Sequence, residues 1–472
     1  MENPSSGQRW NSAGVEDNML AMFDASEAKD AHEDALDDRI AFLDAVRASI
    51  ALGHGKPPTK KIFGAVFHTL RTGKTIELIM ASYKLLVDLE KHFPRVYLSG
   101  RDNSQSPSNS PSKLVVVEKA WYPIIGLDNA TAVTEAGNKQ SGGPLDPSSF
   151  QLMIEDLAEV LTEDEFQTSS VKTLQKWLLF QYLVIVFQGD FLSRNATMDW
   201  SMQRESLLHK LLGSRKINYK NLMKDCLKVI CQLCQLLQKE LGEHLELQRS
   251  SESQLSKNCV TALSLALHEV LKNTCISMDK LLVMIMDLDM SRKKADIEGR
   301  TSRADSPRTP LIDIILDELA YSKDTVPLFL EIFSEPKWKL EIIVQYLWRY
   351  ITKPSVRTRR TNNCTEDATF DEALKCFSNK TGTKSTIKKI GADVIQLLLA
   401  HGFQAQLLIL SERNEDGNIS EDKEEGAKTV VHFCQTLISA FESLISTDEH
   451  AEILSIGKEA LFTAATIISM KS

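Results

Sequence analysis

The sequence predicts an all-α protein, and three observations carry that reading. Apolar residues recur at a spacing near 3.6 through almost the whole chain. Only 21 Gly and 14 Pro interrupt 472 residues, too few for the turn-rich pattern of an all-β fold. One stretch, Leu114 to Gly126, is strand-like, with Val115, Val116 and Val117 consecutive, and it reads as extended or as a short helix. No fixed repeat period is visible, which disfavours ankyrin or tetratricopeptide units. Paired helices of irregular length point instead to an irregular armadillo- or HEAT-like α-α superhelix. The alternative is an irregular multi-helix bundle.

Leu36, Ile40, Leu43 and Val46 define a first helix. Ile62, Val66, Phe67 and Leu70 define a second after Pro57 and Pro58. Thr72 and Gly73 interrupt the period, and Ile76, Ile79, Tyr83 and Leu86 resume it until Pro94. Residues 99–113 and 126–149 are rich in Gly, Asn, Ser and Pro and read as loops, because such segments bury too little apolar surface to offset chain entropy. From Phe150 onward helices are expected over 150–161, 170–188, 199–213, 218–248, 253–272 and 276–296. The run Trp177 to Phe187, broken only by Gln181, is too short to span a membrane and reads as a buried helix. Thr309 and Pro310 supply a cap and a first helical position for the stripe Ile312, Ile315, Leu316 and Leu319. Ser334, Glu335 and Pro336 open a helix to Tyr350 in the same way, and others follow near 368–377, 385–411, 427–446 and 449–471.

The resulting organisation is an acidic N-terminal tail over 1–33, N-terminal helices over 34–98 and a Ser/Pro/Gly-rich linker over 99–149. A central helical repeat-like domain over 150–411, an acidic loop over 412–426 and C-terminal helices over 427–472 follow. The net charge is -9, yet residues 1–45 alone hold 11 acids against 3 bases. The acidity belongs to the tail, which reads as a solvated segment or as an arm for a basic partner. Eight Cys in 472 residues exclude a disulfide scaffold. The first 30 residues hold no apolar stretch behind a basic start, so an intracellular chain with reduced thiols is expected.

The motifs that suggest chemistry are incomplete. Gly73, Lys74 and Thr75 look like the end of a phosphate-binding loop, but His68 stands where the first Gly of the cradle is needed. Asp287, Asp289, Ser291 and Glu298 match positions 1, 3, 5 and 12 of a calcium loop, but Arg292 replaces the Gly of the sharp turn, with Lys293 and Lys294 behind it. Cys231 and Cys234 have the spacing of a zinc half-site near Cys226; no second pair follows, and an apolar helix favours core packing. No catalytic, cofactor-binding or metal-binding residue is therefore assigned, and a non-enzymatic chain without a cofactor or small-molecule substrate is expected.

The basic residues are more informative. Arg349, Lys353, Arg357, Arg359 and Arg360 fall in one stretch without an acid, and Lys384, Lys388 and Lys389 form a second group. Arg292, Lys293, Lys294, Arg300, Arg303 and Arg308 form a third. Cations gather favourably at helix C-termini and exposed loops. They also suit phosphate, an acidic partner or a nuclear-import receptor. Arg349, Lys353, Arg357, Arg359, Arg360, Lys388 and Lys389 are the candidate electrostatic contacts.

Long words in one order then become specific. KLLVMIMDLDMSRKKADIEGRTSRADSPRTPLIDIILDELAY (280–321), PKWKLEIIVQYLWRYITKPSVRTRRTN (336–362), KKIGADVIQLLLAHGF (388–403) and GKEALFTA (457–464) closely resemble the plant family of negative regulators of systemic acquired resistance. So do residues 18–50, 55–79 and 218–227; the likeness is weakest at 99–149 and 411–426. The resemblance implies a nuclear, non-enzymatic, armadillo-like helical protein. It implies repression of defence-gene transcription and of homologous recombination, and a role in DNA repair. It further implies membership of the structural-maintenance-of-chromosomes (SMC) five/six complex beside a helical non-SMC partner subunit. DNA contact would be indirect, no membrane is implied, and a corepressor adaptor at promoters, bound to transcription regulators, is the alternative. The family supplies no site residue to carry over. Trp338 and Trp348 are anchor candidates for a partner that periodicity does not separate from core residues.

Overall fold

The computed structural model describes residues 33–51, 58–99, 113–118, 120–126, 144–162, 171–249, 254–302, 308–351, 369–377, 380–415, 423–448 and 452–471. Seventeen helices and one two-stranded antiparallel ribbon make up these residues, so the fold is all-α. The chain divides into two compact units, Met1–Arg308 and Thr309–Ser472.

The first unit runs α1 (Glu33–Ala51), α2 (Lys60–Thr72), α3 (Ile76–His92), β1 (Val96–Ser99), β2 (Lys113–Val116), α4 (Pro147–Val160) and α5 (Val171–Asn195). It continues through α6 (Trp200–Arg204), α7 (Leu207–Leu212), α8 (Tyr219–Arg249) and α9 (Gln254–Ile297). Helix α5 is its axis, touching α2, α3, α4, α6, α7, α9 and β1. Trp177, Leu178, Phe180, Tyr182, Leu183, Val184, Val186 and Phe187 point around its whole circumference and are at most 1% exposed. Burying each stabilises the fold by about 1.5–3 kcal/mol. A helix wrapped this way must satisfy any polar side chain it carries. Gln181 does so: its Oε1 accepts from the Tyr83 hydroxyl at 3.0 Å, and its Nε2 donates to the Val270 carbonyl at 3.1 Å and to Thr274 Oγ1 at 2.9 Å. At the far end of α5, Asp190 accepts from Arg194 Nε at 3.0 Å and from the Leu207 backbone N–H at 2.7 Å, which opens α7.

The second unit contains α10 (Leu311–Tyr321), α11 (Thr325–Ile332), α12 (Pro336–Tyr350), α13 (Phe370–Phe377), α14 (Lys380–Ile390), α15 (Ala392–Glu415), α16 (Lys423–Thr447) and α17 (Ser455–Lys471). Its axis is α15, packed on α11, α12, α14, α16 and α17. On length and apolar composition Ala392–Glu412 could cross a membrane, but these contacts make it a core helix. Gln396, 1% exposed, donates to the Glu452 carbonyl and accepts from the Leu454 N–H, both at 2.9 Å, and so fixes the turn into α17. Phe370, Phe403 and Phe433 cluster at ring distances of 5.4–6.1 Å where α13, α15 and α16 meet.

Several boundaries differ from the periodicity. The helices expected over 253–272 and 276–296 are one helix, α9, because the polar Thr274 is a core residue bonded to Gln181. The helix expected over 385–411 is cut at Gly391, whose φ of +91° lets the chain turn between α14 and α15. Residues 199–213 form two short helices, each with its own cap at Asp199 and Ser206. Pro310, and not Thr309, is the N-cap of α10, its carbonyl accepting from the Asp313 N–H at 3.1 Å. The strand-like stretch supplies β2, paired with β1 in the register Val96 to Val116. Neither β1 nor α11 has a counterpart in the hydrophobic period. The expected acidic tail over 1–33 lies almost wholly outside the described residues.

Gly402 of α15 sits where an added Cβ would lie 2.5 Å from the Phe370 ring. Ala ordinarily improves a helix by up to about 1 kcal/mol over Gly, but overpacking here costs about 1–3 kcal/mol. Gly402→Ala is therefore expected to lower the melting temperature, and a rise would contradict the close approach. His401 is buried beside it, and burial, reinforced by Lys339, pulls its pKa down to about 4 from 6.5. The neutral ring of the fold takes up a proton on unfolding, so stability present above pH 6.5 is lost as the pH falls toward 4. The drop in melting temperature between about pH 7 and about pH 5 should be smaller in His401→Gln than in the parent chain; equal drops would remove His401 from the account.

Candidate interaction surfaces

The sequence candidates for chemistry become structural parts. Thr75 caps α3 by accepting from the Leu78 N–H at 3.4 Å, and a Cβ on Gly73 would lie 2.8 Å from the Thr69 carbonyl. Gly73, Lys74 and Thr75 thus form the turn between two helices. Asp287, Asp289 and Ser291 lie inside α9 and not in a loop. Asp289 Oδ1 accepts from Arg308 Nε at 3.0 Å and Nη2 at 2.7 Å, and the guanidinium lies 4.8 Å over the Tyr219 ring. Cys226, Cys231 and Cys234 face the core from α8, and burial pushes the thiols of Cys231 and of Cys275 in α9 up to about 12. Thiols so protonated are poor nucleophiles and poor metal ligands. Among the described residues no three His, Cys, Asp or Glu side chains converge to hold a metal ion.

The basic candidates in the second unit fall partly together. Lys389, in the last turn of α14, donates through Nζ to the Tyr350 carbonyl at 3.0 Å, and Lys323 Nζ donates to the Lys389 carbonyl at 2.5 Å. These cations fill the unpaired carbonyls at the C-termini of α12 and α14, where the helix dipole favours positive charge. Arg349 pairs with Asp317 at 2.9 Å on the surface, an exposed contact worth at most about 1 kcal/mol. Lys388 is exposed beside them. Lys353, Arg357, Arg359 and Arg360 lie outside the described residues. The structure therefore joins Arg349, Lys388 and Lys389 at one corner, to which Lys323, marked by no sequence pattern, also belongs.

Of the two aromatic anchor candidates, Trp338 is a core residue at 8% exposure and Trp348 is half-buried. The exposed aromatic side chains of the unit are others: Tyr321 is 91% and Phe462 75% exposed. Neither stands out in the sequence, because each sits next to residues that complete a core stripe.

Comparison with known proteins covers almost the whole chain. Residues 95–335 match the family model of the SNI1 middle domain and residues 351–472 that of the SNI1 C-terminal domain. Helix α12 lies between the two matches. The chain is 40% identical over 467 residues to the negative regulator of systemic acquired resistance SNI1 of Arabidopsis thaliana, covering 97% of this chain and 95% of that protein.

If the basic candidates bind phosphates, replacing Lys388, Arg357, Arg359 and Arg360 by Ala should weaken binding to any DNA duplex alike. The slope of log affinity against log salt should shrink by up to about 0.9 for each phosphate no longer neutralised. Thermal stability should change by no more than about 0.5 kcal/mol per site. Binding that stays the same at every salt concentration would leave these residues as helix-end and loop cations only.

Proposed function

Because the chain belongs to the SNI1 family of negative regulators of systemic acquired resistance, we propose that it restrains plant defence responses as a non-enzymatic helical scaffold. The near end-to-end match to the Arabidopsis protein carries this reading: the two chains are 40% identical over 97% of this chain and 95% of that protein. The finer part of the proposal is a nuclear subunit of the SMC five/six complex, acting in DNA repair and homologous recombination through a helical non-SMC partner. Helices pinned by internal hydrogen bonds leave long outer faces for such a partner, and exposed aromatic side chains such as Tyr321 and Phe462 are the residue types on which interfaces centre. A stable contact of this kind buries well over about 1,000 Å².

Two experiments separate the levels. Expression of this chain in Arabidopsis thaliana plants lacking their own relative should restore the restraint on defence-gene expression. Failure of a well-expressed, nuclear chain to do so would sink the coarser reading. Tagged purification from plant nuclei should recover SMC and non-SMC subunits. Recovery of promoter-bound repressors alone would replace the complex subunit with a corepressor adaptor.

A further inference from the structure

Helix α14 carries a charge pattern that its own stability does not explain. Its 11 residues hold Lys380, Lys384, Lys388 and Lys389 and no acid. Lys380, Lys384 and Lys388 stand four apart and all are exposed, so they form one row about 12 Å long on the solvent face of the helix. Like charges four apart destabilise a helix, and a cation in the first turn opposes the helix dipole. Capping of carbonyls accounts for Lys389, but it does not account for the row. Among the described residues none of the three has an acidic partner.

The row ends at the basic corner of the second unit. Lys388 adjoins Lys389, whose carbonyl accepts from Lys323 Nζ at 2.5 Å. Tyr321, two residues before Lys323, ends α10 with its side chain in solvent, the residue being 91% exposed. It stands one helical turn beyond Asp317, which Arg349 of α12 engages at 2.9 Å. The ring therefore has a cation on each side of it along the chain. Of the acids at this corner, Asp317 is taken by Arg349 and Asp393 lies in the first turn of α15, where the dipole favours it. Glu318 and Asp324 stand against Lys323, Lys380, Lys384, Lys388 and Lys389.

We propose that this face binds single-stranded nucleic acid, with the lysine row following the phosphate backbone and one base stacked on Tyr321. A row of separate charges offsets its own repulsion against a chain of phosphates, which a single small anion cannot do. Cations that track a backbone beside an exposed aromatic ring are the combination that holds single strands without regard to sequence. In a duplex the bases are already stacked on one another, so the ring gains nothing there. An acidic peptide would satisfy the lysines and leave the ring unused. Tyr321 is thereby assigned to this surface, which leaves Phe462 as the aromatic anchor for a protein partner. The binding belongs to the isolated chain and does not depend on membership of any complex.

Fluorescence anisotropy on the purified full chain tests this, with a labelled oligo(dT) and a labelled duplex of the same length as probes. The oligo(dT) should bind more tightly than the duplex. Replacing Lys380, Lys384 and Lys388 together by Ala should shrink the slope of log affinity against log salt by about 0.7 for each phosphate released, about 2 in all. Tyr321→Ala should weaken oligo(dT) binding at least about fivefold with the salt slope and the duplex affinity unchanged, and Tyr321→Phe should retain the parent affinity. All these side chains are exposed, so each variant should keep the parent's circular dichroism and melting temperature; a loss of binding that comes with a loss of helix counts against the proposal. Unchanged oligo(dT) affinity in the lysine variant or in Tyr321→Ala overturns it, as does duplex binding equal to that of the single strand. Displacement of oligo(dT) by polyglutamate as readily as by unlabelled oligo(dT) gives the face to an acidic peptide and overturns it too.

Discussion

The carboxamide of Gln181 is where the first unit is held in register. It accepts from Tyr83 on α3 and donates to Val270 and Thr274 on α9, so one side chain on α5 fixes both neighbouring helices. The surrounding rings and aliphatic chains supply most of the burial energy, but the hydrophobic effect is non-directional. A hydrogen bond is not. Shifting α9 by a residue would strand the amide and the Thr274 hydroxyl in an apolar interior, at about 1–3 kcal/mol for each unsatisfied group.

The same device recurs wherever a connection has to be closed. Gln396 bonds both the carbonyl and the N–H of the chain entering α17. Asp190 joins a guanidinium to a helix start. Glu90 faces Arg95 in the core; burial pushes the Glu90 carboxyl above the usual range and Arg95 holds it down. Such pairs add little net stability when made and cost several kcal/mol when broken, so they act as locks on geometry more than as sources of binding energy.

How much of this is legible in the sequence follows from what periodicity measures. It reports which residues face a core, so the long amphipathic helices and the buried Trp177–Phe187 run are plain. It does not report whether a polar residue is a connection or a buried partner, and Thr274 has the look of the former. Nor does it register a single glycine with φ of +91° inside an otherwise even pattern, so Gly391 leaves no mark on it. The four-residue β1 and the eight-residue α11, with Pro327 in its first turn, are shorter than the window any period needs. At the basic corner, composition reveals Arg349, Lys388 and Lys389. Lys323, 66 positions from Lys389, joins them only through the packing of the second unit.

Helix α9 has 44 residues, about 66 Å of continuous backbone hydrogen bonding. It is clamped near its middle against α5 through Gln181 and in its second half against Arg308 through Asp289. A stiff rod anchored over part of its length is a mechanical lever. A tilt of about ten degrees about the Thr274 contact carries the start of the helix, about 30 Å away, through about 5 Å, while a side chain at the pivot moves by a fraction of that. Strain introduced where α9 meets α5 would thus be read out, geometrically amplified, at the distant end of the same helix.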